Sequence, residues 1–132
     1  MRKTINLVGT CAARSQLTLT TERISRPYEI ARILATYPTG CLNLLSLRFF
    51  LSWDDSAPTT GYPRGTNLLA ENSSHDALIG EGQQKAIEHH VRVETVGSYL
   101  KVHATNDDWY DHAVDVQITI DTIDDIGGAP HA

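Results

Sequence analysis

Six histidines are the residues of this chain best suited to chemistry, because imidazole binds metal ions and exchanges protons near neutral pH. They are His75, His89, His90, His103, His112 and His131. His89 and His90 are neighbours on a predicted strand, so their side chains point to opposite faces and cannot line one site.

A His/carboxylate metal site is one hypothesis for the segment between His103 and His112, which also contains Asp107, Asp108 and Asp111. If the two histidines pair across a loop, His103, Asp108 and His112 are the candidate ligands. The spacing matches no metal-binding signature, and the glycine and terminal glutamate of an EF-hand loop are missing. We therefore expect a solvated acidic loop, with no bound metal and no cofactor.

Two pairs of adjacent carboxylates, at residues 54–55 and 107–108, are the candidates for acid–base catalysis. Both lie in predicted turns, where aspartate bonds its own backbone, so turn formation is the favoured interpretation. The sequence contains neither a glycine-rich phosphate loop nor the Gly-x-Ser-x-Gly nucleophile motif. A metal-dependent barrel enzyme of the cupin type would need clustered inward histidines, which at most His89 and one other residue provide. We expect no enzymatic activity and no catalytic residue.

Trp109 and Tyr110 are adjacent aromatic residues in the same turn-rich segment. An exposed aromatic pair can act as a platform for sugar rings, with Asp107, Asp108 and His112 as hydrogen-bonding partners. It can also pack onto its own loop or anchor a subunit interface, and we favour these two interpretations. A carbohydrate-binding, lectin-like sandwich is the alternative function.

These candidates lie on or between segments whose hydrophobic period is two, which is typical of β-strands. Apolar and polar side chains alternate over residues 114–120 and again over residues 99–105. Turn formers fill residues 106–112, which predicts a hairpin with an elaborated loop. Together with the alternation at residues 87–95, this predicts three consecutive antiparallel strands over residues 86–122.

Residues 41–53 form the most apolar run and are predicted as a strand with apolar side chains on both faces. Such a strand is either central in its sheet or covered by a partner on its outer face. Arg48 and Phe50 lie on that outer face, where Arg48 either reaches solvent or pairs across an interface. Residues 28–37 also have helical spacing, but the flanking prolines favour a strand.

Short strands, frequent turns and the lack of a long amphipathic helix predict an all-β fold. We expect an antiparallel β-sandwich or jelly roll of about eight strands. We divide the chain into an N-terminal arm or edge strand (residues 1–14), a single sandwich domain (15–123) with a long polar loop (54–76), and a flexible tail (124–132). A polar loop of that length inside a domain is usually functional.

Charge is unevenly spread along the 132 residues, which carry 11 basic and 16 acidic side chains and a net charge of −5. Residues 1–32 carry six basic and two acidic residues, a charge of +4 that leaves −9 for the remainder. The acidic balance argues against direct nucleic-acid binding. The basic segment can steer Arg2, Lys3 and Arg14 onto an acidic surface, including another copy of the chain.

Targeting and redox signals are weak in this sequence. No apolar run is long enough to span a membrane, and the stretch after Lys3 is too short for a signal peptide. We expect neither membrane association nor secretion by that route. Cys11 and Cys41 are too few for a disulfide scaffold or a zinc site and are expected to be buried thiols.

The pattern of residues 85–122 resembles the closing hairpin of small jelly-roll and β-sandwich virion proteins of tailed phages, including capsid decoration (cement) proteins. The resemblance lies in residues 97–108 and in the strand 113–120 that follows. It implies a non-enzymatic structural protein, made in the host cytoplasm and located in the virion. Such a protein forms a homo-oligomer, for example a trimer, and binds the major capsid protein or another virion protein. Charge, apolar patterning and expected exposure single out seven residues for such interfaces: Arg2, Lys3, Arg14, Arg48, Phe50, Trp109 and Tyr110.

Overall fold

A computed structural model describes residues 2–58, 61–69, 77–88, 91–94 and 97–122. These residues contain ten β-strands: β1 (Arg2–Cys11), β2 (Gln16–Thr20), β3 (Tyr28–Thr36), β4 (Leu45–Ser52), β5 (Thr66–Asn67), β6 (Leu78–Ile79), β7 (Gln84–Ile87), β8 (Val91–Val93), β9 (Tyr99–Asn106) and β10 (His112–Thr122). Helical backbone is confined, within those ranges, to Leu68 and Leu69. The described part of the chain has no helix long and apolar enough to cross a membrane.

The strands form two antiparallel sheets that pack face to face. In the first sheet the order is β1-β10-β3-β7, and β8 also pairs with β3. In the second sheet the order is β2-β9-β4-β5, and β6 also pairs with β4. The prediction of an all-β antiparallel sandwich is confirmed. The described residues contain ten strands, whereas about eight were predicted. The difference lies in β5, β6 and β8, which have only two or three residues each and are too short to show an alternating pattern.

The core lies between the sheets and is built from the inward-facing, alternate residues of the long strands. Val114, Val116, Ile118 and Ile120 of β10 are at most 2% exposed, as their alternation predicts. They belong to one apolar cluster with side chains of the second sheet such as Phe49. Both cysteines are buried and free, which confirms the prediction for the thiols.

The predicted hairpin over residues 99–120 is wrong. β9 pairs with β2 and β4 in the second sheet, whereas β10 pairs with β1 and β3 in the first, so the chain crosses the sandwich between them. The predicted three-stranded meander is wrong for a related reason, because β7 and β8 both pair with β3. Alternation identifies the buried face of each strand, but it carries no information on which strand lies beside it. The hairpin that suggested a resemblance to phage virion proteins is therefore not formed by β9 and β10.

The strand predicted over residues 41–53 begins later, at Leu45. Leu42 and Asn43 have φ angles of 50° and 61°, a left-handed conformation that does not occur in a regular strand. The carboxylate of Glu81 fixes this turn by accepting a hydrogen bond of 2.7 Å from the backbone N–H of Leu42. The apolar residues before Leu45 therefore lie in a turn and not in a sheet.

The other predicted segments compare with the structure as follows. Residues 28–37 contain β3, as predicted in preference to a helix. Residues 1–14 contain β1, which lies at the edge of the first sheet and pairs with β10 along its whole length. The loop over residues 54–76 is described in part and includes β5. The tail over residues 124–132 lies outside the described residues.

Candidate functional site

Three connections meet at one end of the sandwich, which we call the loop end. They are residues 12–15, 37–44 and 107–111, which join β1 to β2, β3 to β4 and β9 to β10. β1 ends where β10 begins, and β4 begins where β9 ends, so the strand register brings these connections together.

Backbone hydrogen bonds and one buried side chain hold the loop end together. The backbone N–H of Arg14 donates to the carbonyl of Asp108 at 3.0 Å, and that of Asp107 donates to the carbonyl of Leu44 at 3.0 Å. Asn106 is buried, and its side-chain amide donates to the carbonyl oxygens of Cys11, Ala12 and Tyr110, at 3.1, 3.3 and 2.7 Å. Sequence reasoning treated Asn106 as an ordinary turn former and missed this role, because its three partners are distant along the chain or at the far side of the loop.

The loop end carries four exposed apolar side chains, which we call the apolar surface: Leu42, Leu44, Trp109 and Tyr110. Their exposed fractions are 65%, 37%, 76% and 73%. The guanidinium of Arg14 lies 4.8 Å from the centre of the Trp109 ring, a cation–π contact that restrains the indole. Large apolar side chains on well-held loops lose little conformational entropy on binding, which is a property of interface anchors. Sequence analysis identified Arg14, Trp109 and Tyr110 but placed Leu42 and Leu44 in a strand.

Asp108 and His112 form an internal pair beneath the apolar surface. The Nε2 atom of His112 lies 2.8 Å from Oδ2 of Asp108, and Oδ1 of Asp108 accepts the backbone N–H of Trp109 at 2.7 Å. The hydrogen bond to His112, followed by that to the Trp109 backbone, lowers the pKa of Asp108. Both residues are only 8% exposed, so this pair positions the aromatic residues and does not present hydrogen-bonding groups to a ligand.

The third metal-site candidate, His103, lies elsewhere. It is fully buried on the outer face of the second sheet, where Nδ1 lies 3.0 Å from the hydroxyl of Thr18 and the ring packs edge-on against Tyr62. Burial, and then the charge of Arg48, lowers the pKa of His103. His103 and His112 therefore belong to different sheets and do not share a site. Among the described residues, no group of three His, Cys, Asp or Glu side chains is placed to hold a metal ion.

Cys11 is the cross-strand neighbour of His112, which brings a thiol, an imidazole and the carboxylate of Asp108 into one region. Nucleophilic catalysis by cysteine needs an accessible thiolate with a lowered pKa. Cys11 is 1% exposed, its Sγ donates to the carbonyl of Ser15 at 3.4 Å, and burial raises the pKa of its thiol. This arrangement disfavours thiolate chemistry and indicates a packing role.

The outer face of β4 is covered by the chain itself. Tyr62 lies with its ring 4.8 Å from the guanidinium carbon of Arg48 and 6.2 Å from the ring centre of Phe50. Phe50 is only 5% exposed. The apolar outer face that suggested a binding partner for Arg48 and Phe50 is thus covered, at these two residues, by Tyr62 of the same chain.

An ion pair on the same outer face of the second sheet, between a buried lysine and a partly exposed aspartate, was not foreseen from the sequence. The ammonium of Lys101 is fully buried and donates to Oδ1 of Asp54 at 2.8 Å and to the carbonyl of Ser56 at 2.6 Å. The hydrogen bond from Lys101, and then those from the hydroxyl and the backbone N–H of Ser56, lower the pKa of Asp54. Lys101 occupies an outward position on β9, so alternation alone predicts an exposed side chain.

Arg2 and Lys3, the remaining predicted interface residues, lie at the opposite end of the sandwich. Arg2 forms an exposed bidentate pair with Asp121 at 2.9 Å, and this pair ties the start of β1 to the end of β10. Lys3 lines a cleft at that end. The seven predicted interface residues therefore fall into three places, and the two of them that are largely exposed aromatic residues, Trp109 and Tyr110, lie at the loop end.

The comparisons with known proteins do not identify a family for this chain. No protein-family model matches the chain, and no curated protein matches it. Among solved structures, the chain is similar to a family two carbohydrate esterase from Cellvibrio japonicus, with a TM-score of 0.34 and 9% sequence identity. The match covers 93% of this chain and 35% of that one, so this chain spans about a third of its length. A likeness with so low a TM-score bears on neither the activity nor the site.

Proposed function

We propose that this chain is a non-enzymatic structural protein of a tailed-phage particle, and specifically a capsid decoration protein that stabilises the lattice through oligomeric β-sandwich contacts. The observation that carries the proposal is the apolar surface at the loop end. Its two aromatic residues are about three-quarters exposed, yet their loop is held by Asn106 and by the Asp108–His112 pair. Exposed aromatic residues on a fixed loop are expected at a surface that is covered in an assembly.

The chemistry of the interior supports a structural role. The two thiols are buried, and burial raises the pKa of each. The Asp108–His112 pair is hydrogen-bonded internally, and Asp108 also accepts the backbone N–H of the adjacent Trp109. A protein present in many copies on a lattice needs only a modest affinity at each contact, because the repeated contacts together supply avidity.

The proposal is tested by binding to shells assembled from the major capsid protein of the same phage genome. We expect the purified protein to form a discrete oligomer by light scattering and to sediment with the shells. A variant with Trp109→Ala and Tyr110→Ala should lose shell binding by about tenfold or more, since interface anchors of this kind dominate binding. Trp53→Ala is the matched control, because Trp53 is 60% exposed and follows the opposite end of β4. If the protein is strictly monomeric and does not bind the shells, the proposal is wrong.

A carbohydrate-binding module is the second candidate, because the same aromatic pair could stack on sugar rings. Both carboxylate oxygens of Asp108 are already bonded, to His112 and to the Trp109 backbone, which leaves the platform short of polar partners. A glycan array decides between the two functions. Binding that depends on Trp109 would favour the carbohydrate module, whereas an array without hits and a positive shell assay would favour the structural role.

A further inference from the structure

β1 forms a sheet edge that is much longer than the other edges of the sandwich. It has ten residues, whereas the other described edge strands, β2, β5, β6, β7 and β8, have two to five. A sheet edge presents backbone N–H and C=O groups that can pair with a further strand, and proteins commonly protect it by keeping edge strands short. Within the described part of the chain, β10 is the strand partner of β1, and the outer edge of β1 has none.

Other features that block edge pairing are also missing from most of β1. Its register with β10 runs from Arg2 to Cys11 without a bulge, and residues 4–11 contain neither a proline nor a charged side chain. Alternate residues of an antiparallel strand direct their N–H and C=O groups to either side, so half of these groups point away from β10. Asn6 and Val8 are exposed on the outer face of the sheet, Val8 at 66%. Such an edge is suited to the addition of another strand.

The edge is already held in the conformation that a new strand requires. Arg2 is bonded to Asp121 through two hydrogen bonds of 2.9 Å. Further along, Gly9 packs on β2, where an added Cβ would lie 3.1 Å from Leu17 and 3.2 Å from Leu19. Because β1 is ordered before any partner binds, little conformational entropy is lost on pairing.

The charges of β1 favour a second copy of the chain in antiparallel orientation. Arg2 and Lys3 are the charged residues of the strand, and both lie at its start. Parallel pairing of two copies would place these cations side by side, whereas antiparallel pairing places them at opposite ends. It also brings the cationic start of each β1 toward the far end of the other, where the carboxylate of Asp111 accepts the backbone N–H of Ala13 at 2.8 Å. Opposite charges are thereby brought closer and like charges are separated.

The two faces of the sheet restrict the register of such a pair. If the buried faces of both copies lie on the same side, odd-numbered residues of one β1 face odd-numbered residues of the other. Centring the pair on Asn6 meets this condition, and it places Ile5 opposite Leu7 and Val8 opposite Thr4, two β-branched residues. We infer that two copies of the chain form a dimer in which their β1 strands pair antiparallel about Asn6, so that the two first sheets become one continuous sheet.

This dimer deepens the proposed function, because it locates a contact between copies. A two-fold axis at Asn6 turns the two loop ends in opposite directions, so the dimer presents one apolar surface at each end. A protein with two such surfaces can bridge two subunits of a lattice. The bridging role rests on the proposed function, whereas the pairing of β1 with its copy is tested without any shell.

Opposite charges at position 6 test both the edge and the register. Sedimentation velocity of the wild-type protein between about 1 and 200 µM should show a monomer–dimer equilibrium, as expected of a small interface. Asn6→Lys and Asn6→Asp each place two like charges directly opposite one another and should weaken the dimer by about fivefold or more. An equimolar mixture of the two variants should dimerise at least as well as the wild type, because the charges at the axis are then opposite. Recovery in the mixture also shows that both variants fold.

Gln117→Lys and Gln117→Asp are the matched controls. Gln117 is the cross-strand neighbour of Asn6 on β10 and is exposed on the same face. In the dimer the two copies of this side chain are three strand spacings apart, about 14 Å. At about 0.1 M salt that distance exceeds the screening length. Both control variants should therefore dimerise like the wild type.

Amide hydrogen exchange gives a second readout, at the backbone. Alternate N–H groups of β1 should exchange about tenfold more slowly at 200 µM than at 1 µM protein, while those of β2 should not change. In Asn6→Lys this difference between the two concentrations should shrink, and it should return when Asn6→Asp is added.

Four results would overturn the inference. They are a wild-type protein that stays monomeric at about 200 µM, variants at position 6 that dimerise like the wild type, a mixture of those variants that stays monomeric, and a dimer that Trp109→Ala with Tyr110→Ala disrupts while the variants at position 6 do not. Failure of the proposed function is distinct from these results. It would appear as a lack of binding to the capsid shells, with the charge exchange at position 6 still controlling the dimer.

Discussion

The effect of a buried polar side chain on stability depends on its hydrogen bonds, and two buried tyrosines show this most clearly. Tyr28 and Tyr37 are both buried, at 0% and 2% exposure. The hydroxyl of Tyr28 lies 3.0 Å from that of Ser98. The hydroxyl of Tyr37 has no hydrogen-bond partner among the described residues. A buried polar atom without a hydrogen-bond partner lowers stability, because no hydrogen bond offsets the free energy of its desolvation.

Tyr37→Phe is therefore expected to leave the free energy of unfolding unchanged or to raise it by up to about 1 kcal/mol. Tyr28→Phe should lower it by about 1 kcal/mol, because it leaves the Ser98 hydroxyl unsatisfied. Urea denaturation followed by fluorescence measures both. Equal losses in the two variants would contradict this explanation.

The Lys101–Asp54 pair predicts a dependence on pH. The pKa of Asp54 is lowered in the folded state, first by its hydrogen bond to Lys101. The stability that this pair contributes is then fully present above the unfolded-state pKa, near pH 4, and is lost as pH falls through the folded-state pKa. Asp54→Asn should lower the urea midpoint at pH 7 and flatten the acid side of the stability profile. Adding Lys101→Met should recover much of the loss, since no buried ammonium is left without its partner. A double variant no more stable than Asp54→Asn would be evidence against the pair.

Thiol reactivity offers a direct test of the packing at Cys11 and Cys41. Burial raises the pKa of both thiols, so neither is a thiolate at neutral pH. An aromatic disulfide reagent should label neither cysteine of the native protein and both in urea. Rapid labelling of Cys11 in native protein would reopen the question of a reactive thiol next to His112.

At the scale of elements, the sequence predicts strands well and their partners poorly. The alternation in β9 and β10 correctly identifies the residues that face the core, but it misses the burial of Lys101 and His103 on the outer face of β9. The two strands also lie in different sheets. Hydrogen-bond partners depend on connections such as the loop anchored by Asn106, whose contacts come from residues distant in sequence. The aromatic part of the apolar surface was predictable because Trp109 and Tyr110 sit among turn formers. Leu42 and Leu44 were not, because an apolar run gives no sign that its first four residues turn.

The connection between β6 and β7 gives a prediction at this scale. Gly80 packs so closely on Tyr37 that an added Cβ would lie 2.6 Å from the ring. Gly80→Ala should destabilise the protein by about 1–3 kcal/mol, because the buried ring must shift. Gly61→Ala is the comparison, since Gly61 has open space and only its φ of 74° is unfavourable. If a calorimetric scan finds Gly61→Ala to be the worse of the two, the contact with Tyr37 is not what requires glycine at position 80.

At the scale of the whole molecule, β1 is an integral part of the sandwich. It pairs with β10 from Arg2 to Cys11 and contributes Leu7 and Cys11 to the core. Deleting residues 2–11 should therefore abolish cooperative unfolding and not merely weaken assembly. Circular dichroism of the shortened protein through a thermal scan measures this. A sharp transition within a few degrees of the full chain would show that the segment is a dispensable arm.

The pairing of β10 with both β1 and β3 also has a consequence for biosynthesis. β10 is central in the first sheet and is translated after every other described strand. Until it leaves the ribosome, β1 and β3 have no strand between them, and the inward faces of the second sheet stay uncovered. The nascent chain therefore exposes apolar strands during synthesis, and we expect it to depend on chaperones until β10 is released.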